Sequence, residues 1–247
     1  MSPTLIFAVI SGLAAGMLVN YLADVLPLTR KIGRPICVCC GENIPWFTFF
    51  LGKRCSSCGK NRPARFWIVL AFLTAGATWL WIKPVPRFGF EIGFLVLIYL
   101  SLIATIDIEY RLILHPTSWF GAVLGFGIGF WLHGFWPTLA GGVSGYLIML
   151  GLYYLGAWFA RGISKMRGVP LEEVALGYGD VNLSGILGLL LGWPGILAGL
   201  VLAILMGGVV SLIFILGQVI TRRYHPFLAI PYAPFLILGA IVFLFRY

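Results

Sequence analysis

The hydrophobic positions of this chain do not alternate with polar ones. They run together in blocks near the length a helix needs to cross a bilayer, about 20 residues. The blocks cover residues 5–26, 66–82, 88–106, 118–132, 138–159, 181–191, 195–220 and 228–245. Polar and charged residues gather between them, most densely over 27–65. This pattern predicts an all-α integral membrane protein of about eight transmembrane helices with one long polar loop after the first. The sixth block is short for a span, so its helix is tilted, broken or extended at its ends. The first block has no basic residue ahead of it, whereas a cleaved signal peptide carries positive charge there. Ala14, Ala15 and Gly16 could imitate a cleavage site, but the missing charge favours a retained helix.

Composition sharpens the class. Of 247 residues, 60% are hydrophobic and only 10% charged, against about 25% charged in a soluble domain. A water-soluble globule, a disordered chain and an ordinary nucleic-acid-binding domain are excluded. The net charge of +9 therefore speaks to topology, because basic residues collect in cytoplasmic loops. The segments 27–65, 107–116, 160–180 and 221–227 hold 14 of the 17 Lys and Arg, and only Lys83, Arg87 and Arg246 fall on the other side. Eight helices with the N-terminus outside give this partition, and moving the count by one helix breaks it. Glycine patches at Gly121, Gly125, Gly127 and Gly129, and at Gly141, Gly142 and Gly145, are a helix-packing signal.

Two cysteine pairs, Cys37-x-x-Cys40 and Cys55-x-x-Cys58, stand fourteen residues apart, each followed by glycine, Gly41 and Gly59. Two such turns complete a tetrahedral four-thiolate zinc site resembling a zinc ribbon. A loop of this length is too small to build its own core, so zinc would supply its folding energy. The alternative is a pair of redox switches, which a reducing cytosol and the lack of a thioredoxin-like pattern disfavour. Cys39 sits inside the turn and is not expected to ligate. A closed four-thiolate site leaves no open position for catalysis.

Among the eight acids, two stand at the ends of apolar blocks: Asp107 closes the third and Asp180, in Gly177-Tyr178-Gly179-Asp180, opens the sixth. Both fall at the cytoplasmic ends of their helices under this topology. Ionisable groups at such depth are costly and usually functional. Two carboxylates close together cannot both ionise easily, so one stays acid while the other activates water, the chemistry of an aspartic protease. Gly177 and Gly179 permit an extended or tightly turned backbone and the close approach of a substrate main chain. Taken alone, Asp180 also reads as a helix N-cap.

At this point the sequence resembles a known family, the type IV prepilin peptidases, which belong to the GxGD membrane aspartic proteases. Gly16 to Asn20 followed by Leu26-Pro27 looks like the family's first helix. Cys37–Cys40, Pro45-Trp46 and the stretch Leu51-Gly52-Lys53-Arg54-Cys55-Ser56-Ser57-Cys58 resemble its zinc loop. Asp107 and Asp180 fall at the two catalytic aspartates, and Ile230-Pro231-Tyr232-Ala233-Pro234-Phe235 resembles its last-helix motif. The resemblance implies an enzyme of the cytoplasmic (inner) membrane that cuts a short basic leader from prepilins or pseudopilins at the cytoplasmic face. In many members the new N-terminal amine is then methylated with S-adenosylmethionine. It also implies a division into residues 1–65, the first helix and tetracysteine loop associated with methyl transfer, and 66–247, the peptidase core. Structural Zn2+ is the expected metal; prepilin substrates and the bilayer are the expected partners, and nucleic acid is not.

The sequence departs from the family at several places. Where Leu-Pro-Asp is common after the first aspartate, this chain reads Leu114-His115-Pro116, and His115 either substitutes for the acid or caps the next helix. Asn182 stands where Lys is frequent. Arg65-Phe66-Trp67 lacks the acid that usually follows, and Asp24 replaces a histidine or another polar residue. The changes in the first half bear on methyl transfer, so peptidase activity alone is the alternative. Because the leader is basic and the loops are too, the local acids Glu109, Glu172 and Glu173 are candidates for contacting it; the other reading is solvated loop charge. A different class, a proton- or ion-coupled transporter using the same acids, would favour internal repeats and acids at mid-membrane. Neither is evident here.

Overall fold

The computed structural model describes residues 3–167, 176–220 and 231–245. Among them the protein is all helical. The elements are α1 (Pro3–Thr29), α2 (Trp46–Phe50), α3 (Ala64–Ile82), α4 (Gly89–Tyr110), α5 (His115–His133), α6 (Phe135–Arg167), α7 (Tyr178–Leu191), α8 (Gly195–Ile220) and α9 (Ala233–Leu244). Each predicted apolar block contains a helix, although Phe88 falls just before α4 and Pro231, Tyr232 and Phe245 flank α9. Among the described residues, five helices are long and apolar enough to cross a membrane: Thr4–Thr29, Ala64–Ile82, Gly89–Tyr110, Phe135–Gly162 and Gly195–Gln218. The chain is thus a multi-pass membrane protein. The exposed apolar side chains along α5, α6 and α8, such as Trp119, Trp158 and Leu212, suit helices whose outer faces meet lipid tails.

The chain divides into two compact units, Met1–Leu112 and Ile113–Arg246. This packing boundary is separate from the functional boundary expected at 65/66.

In the first unit, α1, α3 and α4 pack together. Gly12 and Gly16, one turn apart on α1, set the approach of α3: a Cβ at either would lie 2.6 Å or 2.9 Å from the Cα of Thr74 or Leu70. Without a hydrophobic driving force between helices in lipid, such close backbone contact supplies the dispersion that holds them. Asn20, also buried, donates to the carbonyls of Gly16 (2.9 Å) and Phe66 (3.1 Å) and ties the same two helices.

The polar loop does not stand apart from this bundle: too small to build a core of its own, it shares one with α1 and α3. Ile36, Ile44 and Phe49 from the loop bury against Tyr21 and Val25 of α1 and Phe66 of α3. The short helix α2 delivers Phe49, fully buried, edge-on to Phe66.

In the second unit α7 is the central element. Its 14 residues span about 21 Å, less than the hydrocarbon thickness of about 30 Å. Val181, Leu183, Ser184, Leu187 and Leu190 are nearly or wholly inaccessible, and neighbours on several sides explain why so short a helix is stable. Gly141 of α6 and Gly188 of α7 face each other so closely that a Cβ on either would meet the other's carbonyl oxygen at 2.3 or 2.2 Å. The Ser184 hydroxyl donates to Gly145 O at 2.9 Å along the same contact.

Candidate active site

The cysteine loop builds its metal site from two matching turns. In each, the glycine N–H after the second cysteine donates to the first cysteine's carbonyl, Gly41 to Cys37 at 2.8 Å and Gly59 to Cys55 at 2.9 Å. Both glycines take positive φ, 74° and 67°, a conformation an L-side chain disfavours. The turns bring Cys37, Cys40, Cys55 and Cys58 together, with all four sulfurs within 4.8 Å of one another. Two sulfur–sulfur edges measure 3.7 and 3.8 Å. A tetrahedron with Zn–S bonds of about 2.3 Å has edges of about 3.8 Å, so the geometry fits zinc and is far too wide for disulfides. Cys39 is exposed and outside the cluster.

The thiols are already unequal without metal. N–H groups of Cys58 and Ser57 hold Cys55 toward thiolate, lowering it to about 6. Cys40 receives a thiolate-favouring backbone hydrogen bond from Glu42, but burial and the other three thiols push it up to about 12. Cys55 thus carries charge before Cys40 and Cys58, both of which are pushed upward.

Asp107 lies on α4, 6% exposed, three residues before the helix ends. The helix is stopped by Arg111, which adopts a left-handed φ of 52° and donates its N–H to Asp107 O at 2.8 Å. Near it, Arg65 at the start of α3 donates through Nη2 to Asp24 Oδ1 and through Nη1 to Glu109 Oε2. Asp24 is 1% exposed, and its second oxygen is 3.5 Å from Arg62 Nη1. Burial pushes the Arg62 guanidinium down, while Asp24, Cys37 and Cys55 favour its charge. Arg62 also stacks 4.5 Å over the Phe49 ring. Glu109, a candidate for the substrate's basic residues, therefore has an internal partner.

Asp180 lies in the second unit, 7% exposed, in the first turn of α7. Gly177 is the N-cap residue, and Asp180 Oδ2 accepts its N–H at 3.1 Å. The carboxylate thus reaches back to the helix start from the third helical position, not from the N-cap. Gly177 has ordinary extended angles (φ −79°, ψ 147°). Gly179 is the constrained glycine: a Cβ there would sit 2.9 Å from Ile113 Cβ. Tyr232, from the last-helix motif, lies within electrostatic reach of Asp180. His115 and Asn182, two of the departures from the family pattern, line one groove of about 470 Å³ with Ser118 and Tyr146. Glu172, Glu173 and Ile230 lie outside the described residues.

Sequence reasoning missed the Asp24–Arg65–Glu109 network, having treated Asp24 and the acid-poor stretch after Arg65 as unrelated departures. One signal was present: Asn20 and Asp24 stand four apart, and Arg62 and Arg65 three apart, so each pair shares a helix face or turn.

A profile of the type IV leader peptidase family matches residues 94–212, which include Asp107 and Asp180. The "Type 4 prepilin-like proteins leader peptide-processing enzyme" of Escherichia coli O78:H11 is 30% identical over 208 residues, covering 81% of this chain and 68% of that protein. The "Prepilin leader peptidase/N-methyltransferase" of Myxococcus xanthus is 29% identical over 229 residues, covering 86% of this chain and 63% of that one. The protein of the same name from Klebsiella pneumoniae is 29% identical over 223 residues, covering 80% and 89%. The chain spans about 63% of the length of the Myxococcus and Aeromonas salmonicida relatives. No solved structure matches it.

Proposed function

The chain belongs to the type IV leader peptidase family, and on that premise we propose that it is a membrane-embedded aspartic endopeptidase that cuts the basic leader from type IV prepilins or pseudopilins. The observation that carries this reading is a pair of buried acids, Asp107 and Asp180. Each lies within one turn of a helix end, in a chain with eight acids in all. Burying a carboxylate costs free energy that packing alone gives no reason to spend.

The chemistry follows from unequal protonation. One carboxylate, ionised, takes a proton from water as its oxygen attacks the scissile carbonyl carbon. The other, protonated, donates to the carbonyl oxygen, and as the C–N bond breaks the amide nitrogen leaves with the proton that the first carboxylate took from water. Gly177 and Gly179 keep the backbone beside Asp180 free of side chains, and Glu172 and Glu173 receive basic residues of the leader. The eight apolar segments cross the cytoplasmic membrane with the N-terminus outside, which sets the cysteine loop and both aspartates at the cytoplasmic face.

Cys37, Cys40, Cys55 and Cys58 hold a structural zinc that is closed to substrate. Methylation of the new N-terminus follows in this reading, supported by relatives named as N-methyltransferases. S-Adenosylmethionine supplies the methyl group when bound.

Purified chain, wild type and the single variants Asp107→Asn and Asp180→Asn, tested on a prepilin with labelled methyl donor, decides the matter. The expected result is cleavage by the wild type and a loss of about 10²–10⁴-fold in each variant. Activity surviving in either variant overturns the assignment. Cleavage by the wild type without label uptake leaves a peptidase alone.

A further inference from the structure

The last turn of a helix is its least secured part, because its final carbonyls have no partners within the helix. Asp107 sits in such a turn at the end of α4, where the left-handed C-cap Arg111 donates its backbone N–H to Asp107 O. What ties this turn down is two residues further on. Glu109 accepts a hydrogen bond from Arg65, whose other terminal nitrogen donates to Asp24. One planar guanidinium thereby joins α1, α3 and α4, a fork geometry that lysine cannot reproduce.

The anchor end of this strut is rigid for a physical reason. Asp24 and Arg62 have side chains 1% and 6% exposed, and displacing either would strand a buried charge. Arg62 is held in turn against Phe49 in the core under the cysteine loop. The free end is Glu109, with a side chain 27% exposed. Two residues along a helix differ by about 200°, so a tether at Glu109 fixes the rotation of the turn that carries Asp107.

We propose that Arg65 is a positioning residue for proteolysis: anchored in the buried Asp24–Arg62 pair, it holds Glu109 and so fixes the orientation of the Asp107 turn. The proposal rests on the reading of Asp107 as catalytic. It also gives Glu109 a task other than contacting the leader, and it gives one departure from the family pattern, Asp24, a partner in Arg65. Arg65 itself touches no reacting atom.

The test uses the full chain in lipid nanodiscs. Glu109→Gln removes only the outer arm and leaves the buried Asp24–Arg65 pair intact, so folding and zinc content are retained. Expected are a rise of about tenfold in hydrogen exchange over residues 106–110, a fall of about 10²-fold in kcat on a prepilin, and a KM within about twofold of wild type. Glu109→Asp, which keeps the charge on a shorter arm, recovers part of the kcat. Unchanged exchange at the end of α4 overturns the proposal, and so does an effect confined to KM, which would mark Glu109 as a leader contact. If the wild-type chain does not cleave at all, the peptidase reading falls and the proposal with it. Cleavage by the wild type with an unaltered kcat in Glu109→Gln overturns the proposal alone.

Discussion

Arg65 on α3 and Asp24 on α1 form an ion pair in which the acid is 1% exposed and the base 13%. Arg65 has Glu109 as a second partner, but Asp24 has no equally close substitute, because Arg62 approaches it only at 3.5 Å. Arg65→Met is therefore expected to destabilise the first unit by about 3–5 kcal/mol, because it leaves a buried carboxylate poorly compensated. The double variant Arg65→Met/Asp24→Asn should recover much of that loss. Thermal unfolding in detergent or nanodiscs measures both, and equal stability of the single variant and wild type would contradict the pairing.

The cysteine cluster is expected to bind one zinc per chain. Cys40→Ser should lower the measured metal content and raise hydrogen exchange over residues 37–60. Protection at Phe49 should persist, since its burial comes from Tyr21 and Phe66 and not from metal. Loss of protection at Phe49 along with the metal would show that zinc alone holds the loop.

The metal-free loop should also respond to pH in two opposite directions. Cys55 is lowered to about 6, so between that value and the ordinary thiol range the unfolded loop binds more protons, and stability rises with pH. Cys40 is raised to about 12, so above the ordinary thiol range the folded loop keeps the proton longer, and stability falls as pH climbs toward 12. Chelator-treated protein, followed by loop-selective exchange or Trp46 fluorescence from pH 6 to 11, should give a maximum near the ordinary thiol range. A monotonic profile would contradict the inequality of the two thiols.

Gly179→Ala places a Cβ 2.9 Å from Ile113 Cβ, an overpacking expected to cost about 1–3 kcal/mol. Trimming the neighbour should relieve it, so Gly179→Ala/Ile113→Ala is expected to regain stability and cleavage together. A double-mutant cycle reads the coupling directly. Regained stability without regained cleavage would mean that Gly179 is bare for the substrate's sake.

Glu172→Gln/Glu173→Gln should raise KM several-fold for a prepilin with a basic leader and leave kcat unchanged. A leader stripped of its basic residues should be insensitive to the change. An equal effect on both substrates would remove these acids from substrate recognition.

Much of the protein was legible from its sequence because the deciding physics is local. An unbroken apolar run forms a helix in lipid wherever it sits, since every backbone group must be satisfied within the segment. A CxxC followed by glycine closes its own turn, and Gly41 and Gly59 take positive φ as that turn requires. Asp107 and Asp180 could be singled out because an acid at the edge of an apolar block is rare. Membrane class, helical fold and thiolate cluster follow from residues that are near neighbours in the chain.

The rest depended on distant partners. The loop was expected to lack a core because its own residues are too few, and that count omits Tyr21 and Phe66, which complete one. Small residues at Gly125, Gly129 and Gly141 announced close packing without saying which helix would meet them, and Gly12 was not singled out at all. Arg65 finds Asp24 and Glu109 at separations of 41 and 44 residues, and no local pattern encodes that meeting. By itself the sequence determined where the apolar helices fall, how its turns close and where charge is scarce. Only the tertiary structure decided which of those scarce charges neutralise one another, because burying an ion requires a partner in space, and helix packing alone brings that partner there.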